Sequence, residues 1–253
     1  MTRYRSSDVA FLLIDGLSVL GETTDLGESK EATFEETTPL GTGGLWETYE
    51  PVGLTNYNLT QAGFYNDAAG SSNAALAAVS GASRVLNFGV ETNAKNKRFK
   101  GFEAPIQVKY HRESAKGGLT KATAEYKGSG EYEEGLILLE FAVQATGATN
   151  NTEAALYVDY GAAGMPTTNG GTGFFQVTSY TAGGGSGLVM KIRQATTLPT
   201  WTDLLTFTSI AAVGAERKTV AGSVPRYLAV SWTFTGGGAG SGFTGFVGFH
   251  RNP

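Results

Sequence analysis

Two segments late in the chain alternate side by side in a period of two. Leu188, Met190 and Ile192 oppose Val189, Lys191 and Arg193, and Leu228, Val230, Trp232 and Phe234 oppose Tyr227, Ala229, Ser231 and Thr233. Such a period sends every second side chain to the same face of a strand, whereas a helix repeats every 3.6 residues. The pattern recurs in SKEATFEETT, residues 29–38, and in LTNYNLTQAGF, residues 54–64. In the latter, Thr55, Tyr57, Leu59 and Gln61 share one face, and Asn56, Asn58, Thr60 and Ala62 share the other. With 36 glycines against 7 prolines, turns are plentiful and the chain is expected to be mainly β. One short helix is expected over 71–81, an Ala-rich run with Gly81 just past its end.

The charge is uneven. Residues 1–145 hold 13 Lys and Arg against 19 Asp and Glu, while residues 146–253 hold 6 against 4. Composition shifts at QATGATNNTE, residues 144–153, so two units are expected: a β domain over 1–145 and a second β-sandwich over 146–253 built from about seven short strands. Neither half has the basic footprint of a nucleic-acid binder. Between the first strands lies PLGTGGLWETYEPVG, residues 39–53, read as a long loop whose Leu45, Trp46 and Tyr49 need a surface to bury against. The apolar run Val9–Ile14 is too short for a signal-peptide core or a membrane span, so synthesis and storage in a cytoplasm are expected.

Catalytic chemistry lacks its parts. There is no cysteine, and the two histidines, His111 and His250, have no ligand-spaced partners, so no metal or cofactor is expected. Glu131, Glu133 and Glu134 in EYEEG read as solvated charges on a hairpin edge rather than a glycosidase pair. No glycine cluster follows a strand and opens a helix as a phosphate loop does, and no G-x-S-x-G elbow occurs. KNKRFKG, residues 95–101, places Lys95, Lys97, Arg98 and Lys100 around Phe99, and reads as a basic, partner-facing loop. Trp201 and Tyr227 are candidate surface contacts for a glycan. An enzyme is not expected.

A β-hairpin start, a long Gly/Pro/Trp loop, NYNLTQAGFYND (residues 56–67), a short Ala-rich helix, a strand and a closing acidic hairpin follow one another in an order that resembles the major tail protein, or tail tube protein, of long-tailed bacteriophages (siphophages). RYLAVSWTFTG and FTGFVGFHR resemble the last strands of the additional C-terminal sandwich that some of these proteins carry. The resemblance implies a tail-tube-like sandwich or barrel followed by an Ig-like or jelly-roll-like sandwich. It also implies a virion protein that assembles with copies of itself into stacked sixfold rings, through which DNA passes unbound. Tape measure, terminator and distal tail proteins would be its other partners. On that basis Leu45, Trp46 and Tyr49 are expected between subunits or rings, and Asn56, Asn58, Thr60 and Glu35 on a lumen face. A head decoration protein and a carbohydrate-binding adhesin are the rival readings.

Overall fold

The computed structural model describes residues 9–36, 49–68, 73, 76–77, 81–114, 116–128, 132–144, 149–151, 157–161, 167–236 and 240–252; the side chains of 31–36, 49–56 and 149–151 fall outside that description. The chain is mainly β. Within residues 71–80 only Asn73, Leu76 and Ala77 are described, with Ala77 N–H donating to the Asn73 carbonyl at 2.9 Å; the others lie outside the described residues.

The strands form three sheets. The largest has eight strands: β1 (Val9–Ile14), β2 (Leu17–Ser18), β5 (Leu86–Val90), β6 (Arg98–Phe102), β9 (Tyr132–Gln144), β12 (Gly171–Thr181), β15 (Gly214–Val220) and β17 (Gly242–Arg251). Their order is β15-β12-β17-β9-β6-β5-β1-β2. A four-stranded sheet, ordered β3-β4-β8-β7, holds β3 (Thr23–Glu36), β4 (Tyr49–Phe64), β7 (Ile106–Glu113) and β8 (Lys121–Gly128). The third sheet holds β10 (Thr149–Asn151), β11 (Val158–Asp159), β13 (Gly187–Ala195), β14 (Thr202–Thr206) and β16 (Tyr227–Thr235).

The eight-stranded sheet curls almost closed. Inside it, Phe11, Leu13, Phe99, Ile137, Phe174 and Phe246 form one cluster, all shielded from water. Burying each is worth about 1.5–3 kcal/mol. Glycines on the same face make room for the rings: a Cβ on Gly89 would lie 2.3 Å from Phe11 Cε1, and one on Gly101 would lie 2.6 Å from Phe174 Cζ. The seam between β12 and β1 is closed by Gln176. Its Nε2 donates to the Leu13 carbonyl (3.3 Å) and to Asn87 Oδ1 (2.7 Å), while its Oε1 accepts from Gly16 N–H (2.9 Å). Gly16 has φ +81°, and a Cβ there would sit 2.7 Å from the Gly214 nitrogen, so both conformation and space call for glycine.

The outward face of this sheet carries two further cores. On the β6-β5-β1 half, Leu12, Ile14, Leu86, Phe88 and Phe102 meet Tyr57, Leu59, Ala124 and Tyr126 of the four-stranded sheet. On the β12-β17-β9 half, Phe175, Val177, Val247 and Phe249 meet Met190, Ile192, Val230 and Trp232 of the five-stranded sheet. The two smaller sheets thus cover different halves of the barrel wall. Strands from both sides of residue 145 share that wall, since β9 pairs with β17.

Candidate assembly surfaces

The four-stranded sheet has one greasy and one polar face. Tyr57, Leu59 and Gln61 point inward and are buried, Gln61 donating to Thr23 Oγ1 at 2.9 Å. The outward face runs in cross-strand rows: Ser29, Asn58, Lys127 and Ile106, then Gly27, Thr60, Glu125 and Lys109, then Asp25, Ala62, Thr123 and His111. Period-two alternation produces this division. Lys109 and Glu125 pair at 2.7 Å, and the rows hold cations and anions in balance. Asn58, half-buried, and Thr60, exposed, therefore share the polar outward face; Asn56 follows in register opposite Glu31.

Both edges of this sheet are open among the described residues, apart from one bridge between Ser83 and Ile106. On β7, Ile106 and Val108 expose apolar side chains, 37% and 43% accessible, and Val108 sits at an irregularity between Gln107 and Lys109. An open edge with exposed aliphatics invites pairing. Alternation in IQVKYHRE alone would put Ile106, Val108 and Tyr110 on one apolar face; the structure instead buries Gln107, with a register shift between Gln107 and Lys109.

A second feature is the β3–β4 hairpin. β8 pairs with β4 only over Tyr57–Phe64, so among the described residues the outer part of the hairpin, from Glu31↔Asn56 to Glu36↔Tyr49, is a ribbon of two strands. An isolated two-stranded ribbon is at best marginally stable in water. Tyr49 belongs to β4, so the segment read as a loop over 39–53 is already strand from residue 49. Glu35 stands opposite Glu50 in register. Leu45 and Trp46 lie outside the described residues.

The basic stretch 95–101 is only partly a loop. Arg98–Phe102 is β6 in the middle of the eight-stranded sheet, because Phe99 alternates inward to the aromatic core. Lys100 pairs with Glu28, and Arg98, 80% exposed at its side chain, reaches Glu134 at 2.5 Å. Burial lowers the Lys95 ammonium's pKa, opposed by nearby Glu140. Lys97, Arg98, Lys100, Glu91 and Glu134 are among the residues lining a recess of about 510 Å³. This is a mixed-charge surface rather than a cationic one.

Glu133 departs from the sequence reading. Instead of being solvated it is 8% exposed and accepts a forked pair from Arg217 and a bond from Thr172 Oγ1 at 2.6 Å. A long-range cation was invisible to a local hairpin reading. His111 is exposed, and His250 Nδ1 lies 2.7 Å from the Glu134 carbonyl. Among the described residues no group of three acidic or histidine side chains could hold a metal, and no helix is long and apolar enough to cross a membrane. Trp201 and Tyr227 are both half-buried, and each lies close to Tyr157, which the sequence did not single out.

No family model matches the chain, and no curated protein matches it. Solved structures with partial likeness include a chain from the virion of a native gene transfer agent particle (TM-score 0.37, 13% identity, 52% of this chain and 98% of that one). Another comes from the tail of an empty gene transfer agent particle with C6 symmetry (0.34, 15%, 48% and 92%). A third is the SPP1 Dit (gp 19.1) protein, described as a hub adsorption apparatus of phages infecting Gram-positive hosts (0.35, 9%, 96% and 99%). At these TM-scores the likeness carries no functional weight.

Proposed function

We propose that this chain is a structural subunit of a phage tail tube. The observation that supports it most is the four-stranded sheet, with both edges open among the described residues, a buried inner face and a polar outer face. Pairing of β7 of one copy with β3 of the next would satisfy both edges and close a ring, and the β3–β4 ribbon would find its burial on a neighbouring copy. Stacked rings would form a tube, with Leu45, Trp46 and Tyr49 at contacts between subunits or rings.

In such a ring Asn56, Asn58, Thr60 and Glu35 line the lumen. DNA would meet paired charges and neutral amides there, with no array of free cations to release counterions onto, and would slide. Residues 1–145 would supply the tube-forming sheet and residues 146–253 an outer one, with six copies per ring, in a virion tail assembled in the host cytoplasm. Tape measure, terminator and distal tail proteins are the partners this reading entails, and no cofactor or catalytic step is part of it. Negative-stain imaging of the concentrated recombinant protein tests it: rings or tubes are expected, and a persistent well-folded monomer would sink it.

A further inference from the structure

We propose that Asn169–Gly170 is a site of spontaneous covalent modification: in the folded chain Asn169 deamidates through a cyclic imide, and the isoaspartyl product loosens the end of β17. Of the chain's 11 asparagines, Asn169 is the one that precedes glycine. The order matters because the backbone nitrogen of the following residue must reach the asparagine Cγ. A side chain on that residue would crowd the approach, and glycine has none.

The fold itself requires the second member of the pair. Gly170 has φ +77°, and a Cβ there would collide with the Val220 carbonyl oxygen. No described residue accepts a hydrogen bond from its N–H, so the attacking nitrogen is not held elsewhere. Attack comes from the adjoining residue, so the burial of Gly170 does not obstruct it. Asn169 is exposed, which lets water reach the imide. Thr168 Oγ1 donates to Asn169 Oδ1 over a long 3.4 Å, on the oxygen where negative charge gathers as the amide is attacked. Asn93 and Asn73, each followed by alanine, are held differently. Phe141 engages Asn93 at both Oδ1 and Nδ2, and Asn73 Oδ1 accepts from Tyr110.

The reaction balances with water alone. The Gly170 nitrogen gives up its proton and bonds to Asn169 Cγ, while the Cγ–Nδ2 bond breaks and ammonia leaves. Water then opens the imide at either carbonyl to give aspartate or isoaspartate, and nothing is oxidised or reduced. Both products add a negative charge. Isoaspartate also runs the main chain through Cβ and Cγ, lengthening it by a methylene and leaving the former Asn169 carbonyl as a side carboxylate.

This turn clasps Asn252, just past the end of β17. Asn252 N–H donates to the Gly170 carbonyl at 3.1 Å, and its Nδ2 donates to the Asn169 carbonyl at 2.8 Å. Its own carbonyl accepts from Thr167 Oγ1 at 2.9 Å. Rerouting the main chain between the two acceptors prevents both from keeping their places.

None of these residues belongs to the four-stranded sheet, so the site stands apart from tube formation. The full chain is stored folded in mildly alkaline buffer and followed by peptide mass spectrometry, with isoaspartate detected by enzymatic methyl transfer. The expected result is an amide-to-acid mass gain confined to the Asn169 peptide, faster as pH rises. Asn169→Gln should lose it, because the longer side chain would have to close a larger, slower-forming ring. Hydrogen exchange at 249–252 should be faster in the aged wild type than in the fresh protein, and unchanged in stored Asn169→Gln. Should Asn169→Gln fail to fold, Asn169→Ser carries the test. A folded protein that keeps Asn169 intact, or deamidates only once urea has unfolded it, would overturn the site. Isoaspartate without faster exchange would overturn the loosening of β17.

Discussion

Glu133 and Arg217 form a forked ion pair, Nε and Nη2 to the two carboxylate oxygens at 2.9 and 2.8 Å, that ties β9 to β15 across two intervening strands. Arg217 also lies over Phe174, 5.9 Å from its ring centre, so the pair sits at the margin of the aromatic core inside the barrel. Removing one partner strands a desolvated charge. Arg217→Met should therefore cost about 3 kcal/mol in urea unfolding, and the double variant with Glu133→Leu should recover most of it. Equal destabilisation by the single and double variants would contradict the coupling.

The barrel interior has no room for a methyl group at Gly89, where a Cβ would lie 2.3 Å from Phe11 Cε1. Gly89→Ala should destabilise by about 1–3 kcal/mol through overpacking. Adding Phe11→Leu should restore part of this, because the clash is with the ring itself; calorimetric melting of the three variants checks it.

The open edge at β7 leads to a prediction about assembly. Val108→Lys places a charge where an exposed apolar side chain now marks that edge. Monomer stability should shift by less than about 0.5 kcal/mol, as for most surface changes, while rings and tubes vanish from negative-stain images. Tubes of normal length would argue against ring closure through this edge.

If the outward rows of the four-stranded sheet line a conduit, added cations there should retard DNA. Asn58→Lys together with Thr60→Lys, or Glu35→Lys, is expected to slow genome ejection, and more strongly at low salt. Ejection kinetics followed by dye release from filled particles would show it, and an unchanged rate would place these residues elsewhere.

Asp159 supplies a pH signature. Hydrogen bonds from Arg226 hold its carboxyl below the usual range, with the Gly161 N–H assisting at 2.7 Å. A carboxyl depressed in the folded state adds stability above its unfolded value and loses it as pH falls through the lowered folded one. The stability gap between the wild type and Asp159→Asn should be constant near neutrality and close in acid, as measured by urea unfolding at several pH values. The group is partly exposed, so the gap should be small and salt-sensitive.

Local patterning revealed much of this chain. The alternation of Leu188–Arg193 and Tyr227–Phe234 marks two strands that pair along their whole length, and the face shared by Tyr57, Leu59 and Gln61 is the buried one. Asn58 and Thr60 share the opposite face. A two-residue period is a property of the backbone, so it can be read without knowing the neighbours.

Contacts between distant residues were out of reach of that reading. The inward turn of Phe99 made a strand of half the basic stretch, Arg217 took Glu133 out of solvent from 84 positions away, and Gln176 closed the barrel seam against Leu13 and Gly16. Tyr157 joined Trp201 and Tyr227 in the same way. Sequence by itself determined that the chain is built of strands and which side of several of them is apolar, because those follow from local period and composition. Only the tertiary structure decided which strands share a wall and which charges are buried, because burial and pairing depend on groups that the chain brings together from afar.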